Sequence, residues 1–346
     1  MSKPTFSFGA GMPPFIIAEM SGNHNQSLER ALEIVKAAAE TGVQAIKLQT
    51  YTADTITMKG AYQITDDASL WKGQELHDLY KKAYTPWEWH KDIFDYARSL
   101  GLICFSSPFD ETAVDFLETL DVPLYKIASF ENNHHPLLKK VAQTGKPVIM
   151  STGVANMEDI KESVAVLQKN GCSNIALLKC TSTYPASPEN TNLVTIPVLQ
   201  QLFPGCTIGL SDHTMGIGVS VASIALGAKV IEKHFTLNRA DGGVDSAFSM
   251  EPAEMKQLVE EASRAFLALG HPQLEVQEAE TASLKFKRSI YVSEDIAEGT
   301  VFSEKNIRVI RPGFGLHPRY YEQLIGKKAN KNYQKGTPLG EDALTD

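Results

Sequence analysis

Cysteine is scarce. Cys104, Cys172, Cys180 and Cys206 are scattered through 346 residues, and no two of them form a CxxC pair. A cytosolic protein would keep such thiols reduced, and most of them sit in apolar stretches that read as buried. Long hydrophobic runs are missing too, since no stretch approaches membrane-spanning length. Met1–Met12 lacks the basic-then-apolar order of a signal peptide, so the expectation is a cytoplasmic protein. Positive charge is in deficit, with a formal net charge of −8. That balance argues against nucleic acid or an anionic membrane as partner. It leaves room for an anionic small substrate, because a few lysines inside a pocket can oppose the global charge. Low-complexity segments are absent, and 43% apolar with 21% charged residues is ordinary for a soluble globular chain. The length exceeds what one small core needs, which suggests one large domain with an appendage.

From Pro14 to about Gly270 short apolar strands alternate with amphipathic helices. The strand patterns are Phe15–Glu19, Gln44–Gln49, Leu102–Ser106, Leu124–Ala128, Pro147–Ser151, Ile175–Lys179, Thr207–Ser211 and Lys229–His234. Helical patterns include Ser27–Glu40, Pro86–Leu100, Met157–Lys169, Ile217–Leu226 and Pro252–Leu269. Pro86 at a first turn and Asn156 with Asp159 three residues on are start signals. Eight strand–helix units in about 255 residues predict an α/β fold, a (β/α)₈ TIM barrel. A doubly wound open sheet is the alternative, and no GxGxxG follows the first strand to support it. The connection Thr50–Thr85 is unusually long and carries Tyr51, Tyr62, Trp71 and Tyr80. It is either a lid or binding loop, or a surface loop packed on its own aromatics. The acidic stretch from 271 to 284 reads as a linker. Residues 285–346 read as a small, mostly β module of about 60 residues with turns at Glu298-Gly299, Arg311-Pro312-Gly313 and Lys335-Gly336. The barrel domain is then 1–270.

Functional residues of such a barrel sit at the C-terminal ends of its strands. Those ends carry Glu19, Lys47 with Gln49, Ser106-Ser107, Lys126 with Ser129 and Glu131, Ser151, Lys179, Ser211 with His213, and Glu232 with His234. Period-two alternation puts Lys47 and Gln49 on the face opposite Ile46 and Leu48, and treats Lys126 the same way against Tyr125 and Ile127. Lysines pointing into a barrel are costly unless they meet an anion. Two at one end indicate a phosphate or carboxylate site, or else structural pairs with Glu19 or Glu131. His213 and His234 end adjacent strands and suit a divalent ion, or serve as hydrogen-bonded polar residues. Glu19 could coordinate that ion, orient a water, act as a base or neutralise Lys47. Asn23-His24-Asn25 adds a polar cluster to the same mouth.

Together these segments resemble the sialic acid synthase family. The resemblance rests on Ala18-Glu19-Met20-Ser21-Gly22-Asn23-His24-Asn25, Ile46-Lys47-Leu48-Gln49-Thr50, Tyr125-Lys126-Ile127-Ala128-Ser129 with Glu131, Ser151-Thr152-Gly153, Gly209 to Thr214 and Glu232 to Phe235. Arg311-Pro312-Gly313-Phe314-Gly315 and Leu324-Ile325-Gly326-Lys327 resemble the antifreeze-like (SAF) domain that ends such synthases. Within the family, Glu19 to Asn25, Leu70-Trp71-Lys72-Gly73 and Thr85-Pro86-Trp87-Glu88-Trp89 look most like the pseudaminic acid synthases.

The resemblance implies a metal-dependent enzyme that joins phosphoenolpyruvate to an amino sugar by C–O cleavage. The acceptor is 2,4-diacetamido-2,4,6-trideoxy-altrose, with N-acetylneuraminate or legionaminate synthesis as the alternative. It implies a domain-swapped homodimer and a Mn²⁺ ion on His213 and His234, with Mg²⁺ or Co²⁺ as substitutes. Phosphoenolpyruvate contacts carry over to Lys47, Ser107, Lys126, Ser129, Ser151 and Ser211. Glu19 and Glu131 match carboxylates near the sugar and the attacking water. Asp245, Tyr184 and Arg311 match sugar-site residues, Arg311 arriving from the partner's tail. Ser182 and Lys179 replace the asparagine and histidine of N-acetylneuraminate enzymes, which fits a different acceptor. A barrel aldolase or hydrolase unrelated to phosphoenolpyruvate, and a non-catalytic binding role resting on the tail's antifreeze-like character, are the rivals outside the family.

Overall fold

The computed structural model describes residues 12–67 and 71–345, so Met1–Gly11 and the Leu70 of the motif above lie outside the described residues. The chain divides into two compact units, Met1–Gly270 and His271–Asp346.

The first unit is the expected barrel. Its strands are β1 (Phe15–Glu19), β2 (Ala45–Thr50), β3 (Ile103–Pro108), β4 (Tyr125–Ile127), β5 (Val148–Ser151), β6 (Ile175–Cys180), β7 (Thr207–Asp212) and β8 (Val230–His234). They pair in parallel and close, β8 returning to β1. The helices after them are α1 (Leu28–Thr41), α2 (Trp87–Ser99), α3 (Glu111–Thr119), α4 (His135–Ala142), α5 (Met157–Lys169), α6 (Thr195–Leu202), α7 (Gly218–Ala225) and α8 (Pro252–Leu269). Local chemistry sets their ends. Ser27 accepts from the Arg30 N–H to start α1, and Gly42 ends it in the left-handed region at φ 86°. Asn156 and Asp159 form the expected reciprocal cap of α5. Several strands run a residue or two past their expected ends, as β3 does to Pro108. Ladder bonds to a neighbour continue there although the apolar pattern has stopped.

Alternation sorts the strand residues into two layers. Ile16, Ala18, Ile46, Leu48 and Ile127 pack outward against the helices. Ile17, Ala45, Phe105, Leu124, Ile149, Ala176, Leu178 and Val230 fill the barrel. Above that apolar plug the interior positions turn polar, which fixes where a site can form. Closure needs a glycine at one place: a Cβ on Gly209 would lie 2.3 Å from the Val230 carbonyl and 2.6 Å from Leu178 Cδ2.

The long β2–α2 connection is organised. It contains short helices at Ala53–Ile56 and Leu76–Ala83 and a bridge between Gln63 and Glu75. In the second unit, β9 (Ser289–Val292) pairs antiparallel with β10 (Ile307–Ile310). Around them Ile290, Val292, Ile296, Phe302, Ile307, Leu324 and Leu339 make a separate core. The stretch expected as a plain linker is wound into a 3-10 helix over Glu278–Phe286, begun by a Gln277–Glu280 cap.

Gly209→Ala should destabilise the barrel by about 3 kcal/mol, the upper end of overpacking costs, because the clash is with backbone. The midpoint of urea unfolding checks this; an unchanged midpoint would mean that β7 and β8 can separate freely.

Candidate active site

The floor of the barrel mouth is an ion cluster set by strand register. Glu19 stands opposite Lys47 across β1 and β2, and Ser211 opposite Glu232 across β7 and β8. Lys47 Nζ lies 2.7 Å from Glu19 Oε2 and 3.6 Å from Glu232 Oε1. Lys126 Nζ lies 3.6 Å from the same Glu232 oxygen. Lys47 also donates to Ser107 Oγ at 3.3 Å, and Ser211 Oγ donates to Glu232 at 3.3 Å. Gln49 donates to Glu19 Oε1 at 2.9 Å. All of these charged groups are buried, so each depends on its partner. Burial alone would lower Lys47, but Glu19 and Glu232 outweigh it and hold the ammonium charged. Burial would raise Glu232, and Lys126 and Lys47 bring it below the usual carboxylate range. Lys126, with less opposing charge, is pushed down by burial.

One wall carries the histidines. The His213 and His234 rings are 5.2 Å apart, and Tyr184 lies 4.5 Å from His213. Phe248 closes the far side, 4.9 Å from His234. His213 Nδ1 donates to the Thr181 carbonyl at 3.0 Å, which turns Nε2 to the other side of the ring. His234 Nδ1 is buried with no hydrogen-bond partner, 3.8 Å from Asp245 Oδ2. Asp245 accepts in turn from Ser21 Oγ. Burial and the His213 ring push His234 well below its ordinary value, so it is a neutral imidazole. Burial lowers His213 as well, but Cys180 and the Thr181 carbonyl raise it overall. Burial would likewise raise the Cys180 thiol, yet His213, Ser129 and Ser182 bring it down to about 7. The two imidazoles and Asp245 are the donors available to a divalent ion. Among the described residues no group of three or more His, Cys, Asp and Glu is gathered at metal-binding spacing. Water or substrate oxygens would therefore complete the coordination, and the ion would compete with a proton for His213.

Floor and wall open into a cavity of about 440 Å³. It is lined by Lys47, Lys126, Ser129, Glu131, Ser151, Ser182, Tyr184, Ser211, His213, His234 and Asp245, which brings most of the sequence-chosen residues into one space. Four buried polar atoms of its lining have no hydrogen-bond partner: Glu131 Oε2, Ser151 Oγ, Glu232 Oε2 and His234 Nδ1. So many orphaned atoms around one cavity mark a place for a polar ligand. Burial raises Glu131 to about 7, against the pull of Lys126.

Other expected residues lie elsewhere. Glu19 and Ser107 sit behind Lys47, as its partners. Lys179 does not line the cavity, which corrects the expectation that it borders the sugar. Leu178 fills the barrel and Cys180 meets Ser129 and His213, so alternation turns Lys179 to the other face of β6. There Nζ donates to Thr181 Oγ1 at 2.6 Å and the Cys180 carbonyl at 3.3 Å. Arg311 belongs to the second unit, where it is exposed and precedes a cis proline. Asn23 and His24 are scaffold: Asn23 donates to the Phe235 carbonyl and Ser249 Oγ at 2.9 Å, and His24 meets Thr85 Oγ1 at 3.1 Å. The β2–α2 connection supplies Tyr51, Ile56, Ile64, Trp71, Leu76, Leu79, Tyr80 and Ala83 to the cavity, so it is part of the site rather than a self-packed surface loop. Sequence reasoning noted Glu232 at a strand end without giving it a role, and read Cys180 only as a thiol in the chain. The alternation that selected Lys47 would have found both, since Glu232 is two residues before His234 and Cys180 two after Leu178.

The Glu131 carboxyl binds its proton more tightly folded than unfolded. Stability contributed by that protonation is present below pH 4.5 and is lost as pH rises through about 7. Relative to wild type, Glu131→Gln should gain up to about 3 kcal/mol between pH 5 and pH 8. Urea unfolding at both pH values checks this; a pH-independent difference would mean an ordinary carboxyl.

A family profile described as the NeuB family matches residues 34–273, and one described as the SAF domain matches residues 287–345. A pseudaminic acid synthase from Campylobacter jejuni subsp. jejuni serotype O:2 is 42% identical, over 96% of this chain and 97% of its own. A pseudaminic acid synthase from Helicobacter pylori is 41% identical, over 96% of this chain and 98% of its own. Among solved structures, the N-acetylneuraminic acid (sialic acid) synthetase from Leptospira borgpetersenii serovar Hardjo-bovis, in complex with citrate, superposes with a TM-score of 0.73. It is 31% identical, covering 83% of this chain and 95% of that one.

Proposed function

The chain belongs to the NeuB family and carries a C-terminal SAF domain, and on that premise we propose that it is a pseudaminic acid synthase. The reaction would condense phosphoenolpyruvate with 2,4-diacetamido-2,4,6-trideoxy-L-altrose, giving pseudaminic acid and phosphate. The observation that carries this reading is the pairing of two buried lysines on a cavity floor with two imidazoles on its wall, inside a chain alike to such synthases over nearly its whole length.

In this reading Lys47 and Lys126 hold the phosphate and carboxylate of phosphoenolpyruvate, helped by the hydroxyls of Ser129, Ser151 and Ser211. Ser107 acts through Lys47. A divalent ion on His213 and His234, Mn²⁺ or else Mg²⁺ or Co²⁺, would supply polarisation of the open-chain sugar's aldehyde. Asp245 and Tyr184 border the aldehyde's approach. The enol methylene carbon forms the new C–C bond, the aldehyde oxygen takes a proton, and positive charge develops on the adjacent carbon. Water adds to that carbon and phosphate leaves with its bridging oxygen.

Sequence alone favours Glu19 for the water's proton. The surroundings favour Glu131 instead. Glu19 is engaged by Lys47 and Gln49, whereas Glu131 lines the cavity with a free oxygen and a pKa of about 7. Ser182, at the cavity edge, suits an acceptor other than N-acetylmannosamine. The proposal extends to a domain-swapped homodimer in which the partner's tail presents its arginine, Arg311, to the sugar. It also places the enzyme in the cytoplasm; among the described residues no helix is long and apolar enough to cross a membrane.

The test is phosphate release from phosphoenolpyruvate and Mn²⁺, with mass spectrometry of the product, using the diacetamido-trideoxy-altrose beside N-acetylmannosamine and the legionaminate precursor. Release with the altrose sugar alone is expected; release only with another acceptor would overturn the assignment within the family. His213→Ala and removal of metal by chelation should each lower turnover more than about 100-fold, beyond what an outer-shell partner is worth. Wild-type turnover in either would refute the metal role. Full activity in Arg311→Ala would refute the role of the tail.

A further inference from the structure

The cavity has two unlike halves. Its floor is charged and hydroxylated, as described above. The β2–α2 connection and the segment after β8 add Ile56, Ile64, Leu76, Leu79 and Val244 to the cavity's lining, none of which offers a polar side-chain atom. The chain builds this half deliberately. In the short helix Leu76–Ala83, the positions facing the cavity are Leu76, Leu79, Tyr80 and Ala83, at the i, i+3, i+4, i+7 spacing of one helix face. Ile64 is held by paired backbone bonds, its N–H to the Gln74 carbonyl at 3.0 Å and its carbonyl to the Gly73 N–H at 2.8 Å. It is only 8% exposed and Leu79 only 6%. Trp71 Nε1 donates to the Val244 carbonyl at 3.3 Å, tying the roof to the loop that carries Asp245.

A wall of this kind is out of keeping with a fully hydroxylated sugar. Each hydroxyl packed against these five side chains would lose its water and find no partner on them. The floor is committed to the anionic substrate, so the roof faces the other one. We infer that Ile56, Ile64, Leu76, Leu79 and Val244 determine acceptor specificity by receiving its methyl groups, those of the C6 position and of the acetamido substituents. This rests on the pseudaminic acid synthase reading and adds the surface that enforces it. Selection comes from hydrocarbon that leaves an added hydroxyl unsatisfied. Discrimination at such a wall is limited to roughly 100-fold, because an apolar pocket cannot strongly reject an isostere that merely gains a hydroxyl.

The experiment compares kcat/KM for two acceptors that differ at one atom: 2,4-diacetamido-2,4,6-trideoxy-L-altrose and its analogue retaining the C6 hydroxyl. Wild type should prefer the 6-deoxy sugar by about 100-fold. Ile64→Thr and Val244→Thr should each shrink that ratio at least about fivefold while leaving the KM for phosphoenolpyruvate unchanged. Val244→Thr preserves side-chain shape, so the outcome does not hang on whether the Ile64 variant folds. A wild-type ratio near one, or variants that keep the wild-type ratio, would overturn the inference. Turnover of neither acceptor, with turnover of N-acetylmannosamine instead, would show that the underlying functional reading has failed.

Discussion

Glu232 is the residue on which the site's electrostatics turn. It lies in β8 of the closed barrel, above an apolar plug, and one of its oxygens is 3.6 Å from both Lys47 and Lys126. Two ammonium groups in that position would repel each other and lack water. With Glu232 between them and Glu19 behind Lys47, Lys47 is held charged, while burial still pulls Lys126 below its ordinary value. Everything that the floor does to an anion depends on this arrangement. The lysines are held by carboxylates on other strands, not by each other, so their donors are aimed before any anion arrives.

The rest of the site is stacked on that floor by layers. The histidine wall comes from the ends of β7 and β8, where His213 is oriented through the Thr181 carbonyl. The roof comes from a connection with no role in closing the barrel, which is why it can be apolar without disturbing the strands. Floor and wall thus come from strand ends and the turns directly after them, and the roof mostly from an inserted loop. Acceptor recognition can vary in the roof while anion binding stays fixed in the floor.

Much of this was legible in advance. The eight strands and their helices could be read because apolar runs and capping residues repeat with the fold's own periods. Lys47 and Lys126 were found by alternation, since a barrel strand has only an inside and an outside, and His234 by its place at the end of a strand next to that of His213. Lys179 was misplaced because it was assigned by likeness and not by that rule; with Leu178 and Cys180 inside, it points away. Glu131 was underrated, because its burial and its free oxygen come from neighbours distant in sequence.

The sequence by itself determined the order of elements, the closure of the barrel and which end bears the chemistry, because these follow from local periodicity and from residue types on each strand. Tertiary structure decided which charges meet. Ion pairing, orphaned atoms and pKa depend on distances between chain segments far apart, such as Glu19 with Lys47 and Asp245 with His234. It also decided that Leu76 and Leu79 face a substrate cavity rather than another helix. An apolar stripe says that a helix face will be covered, and only the folded chain says by what.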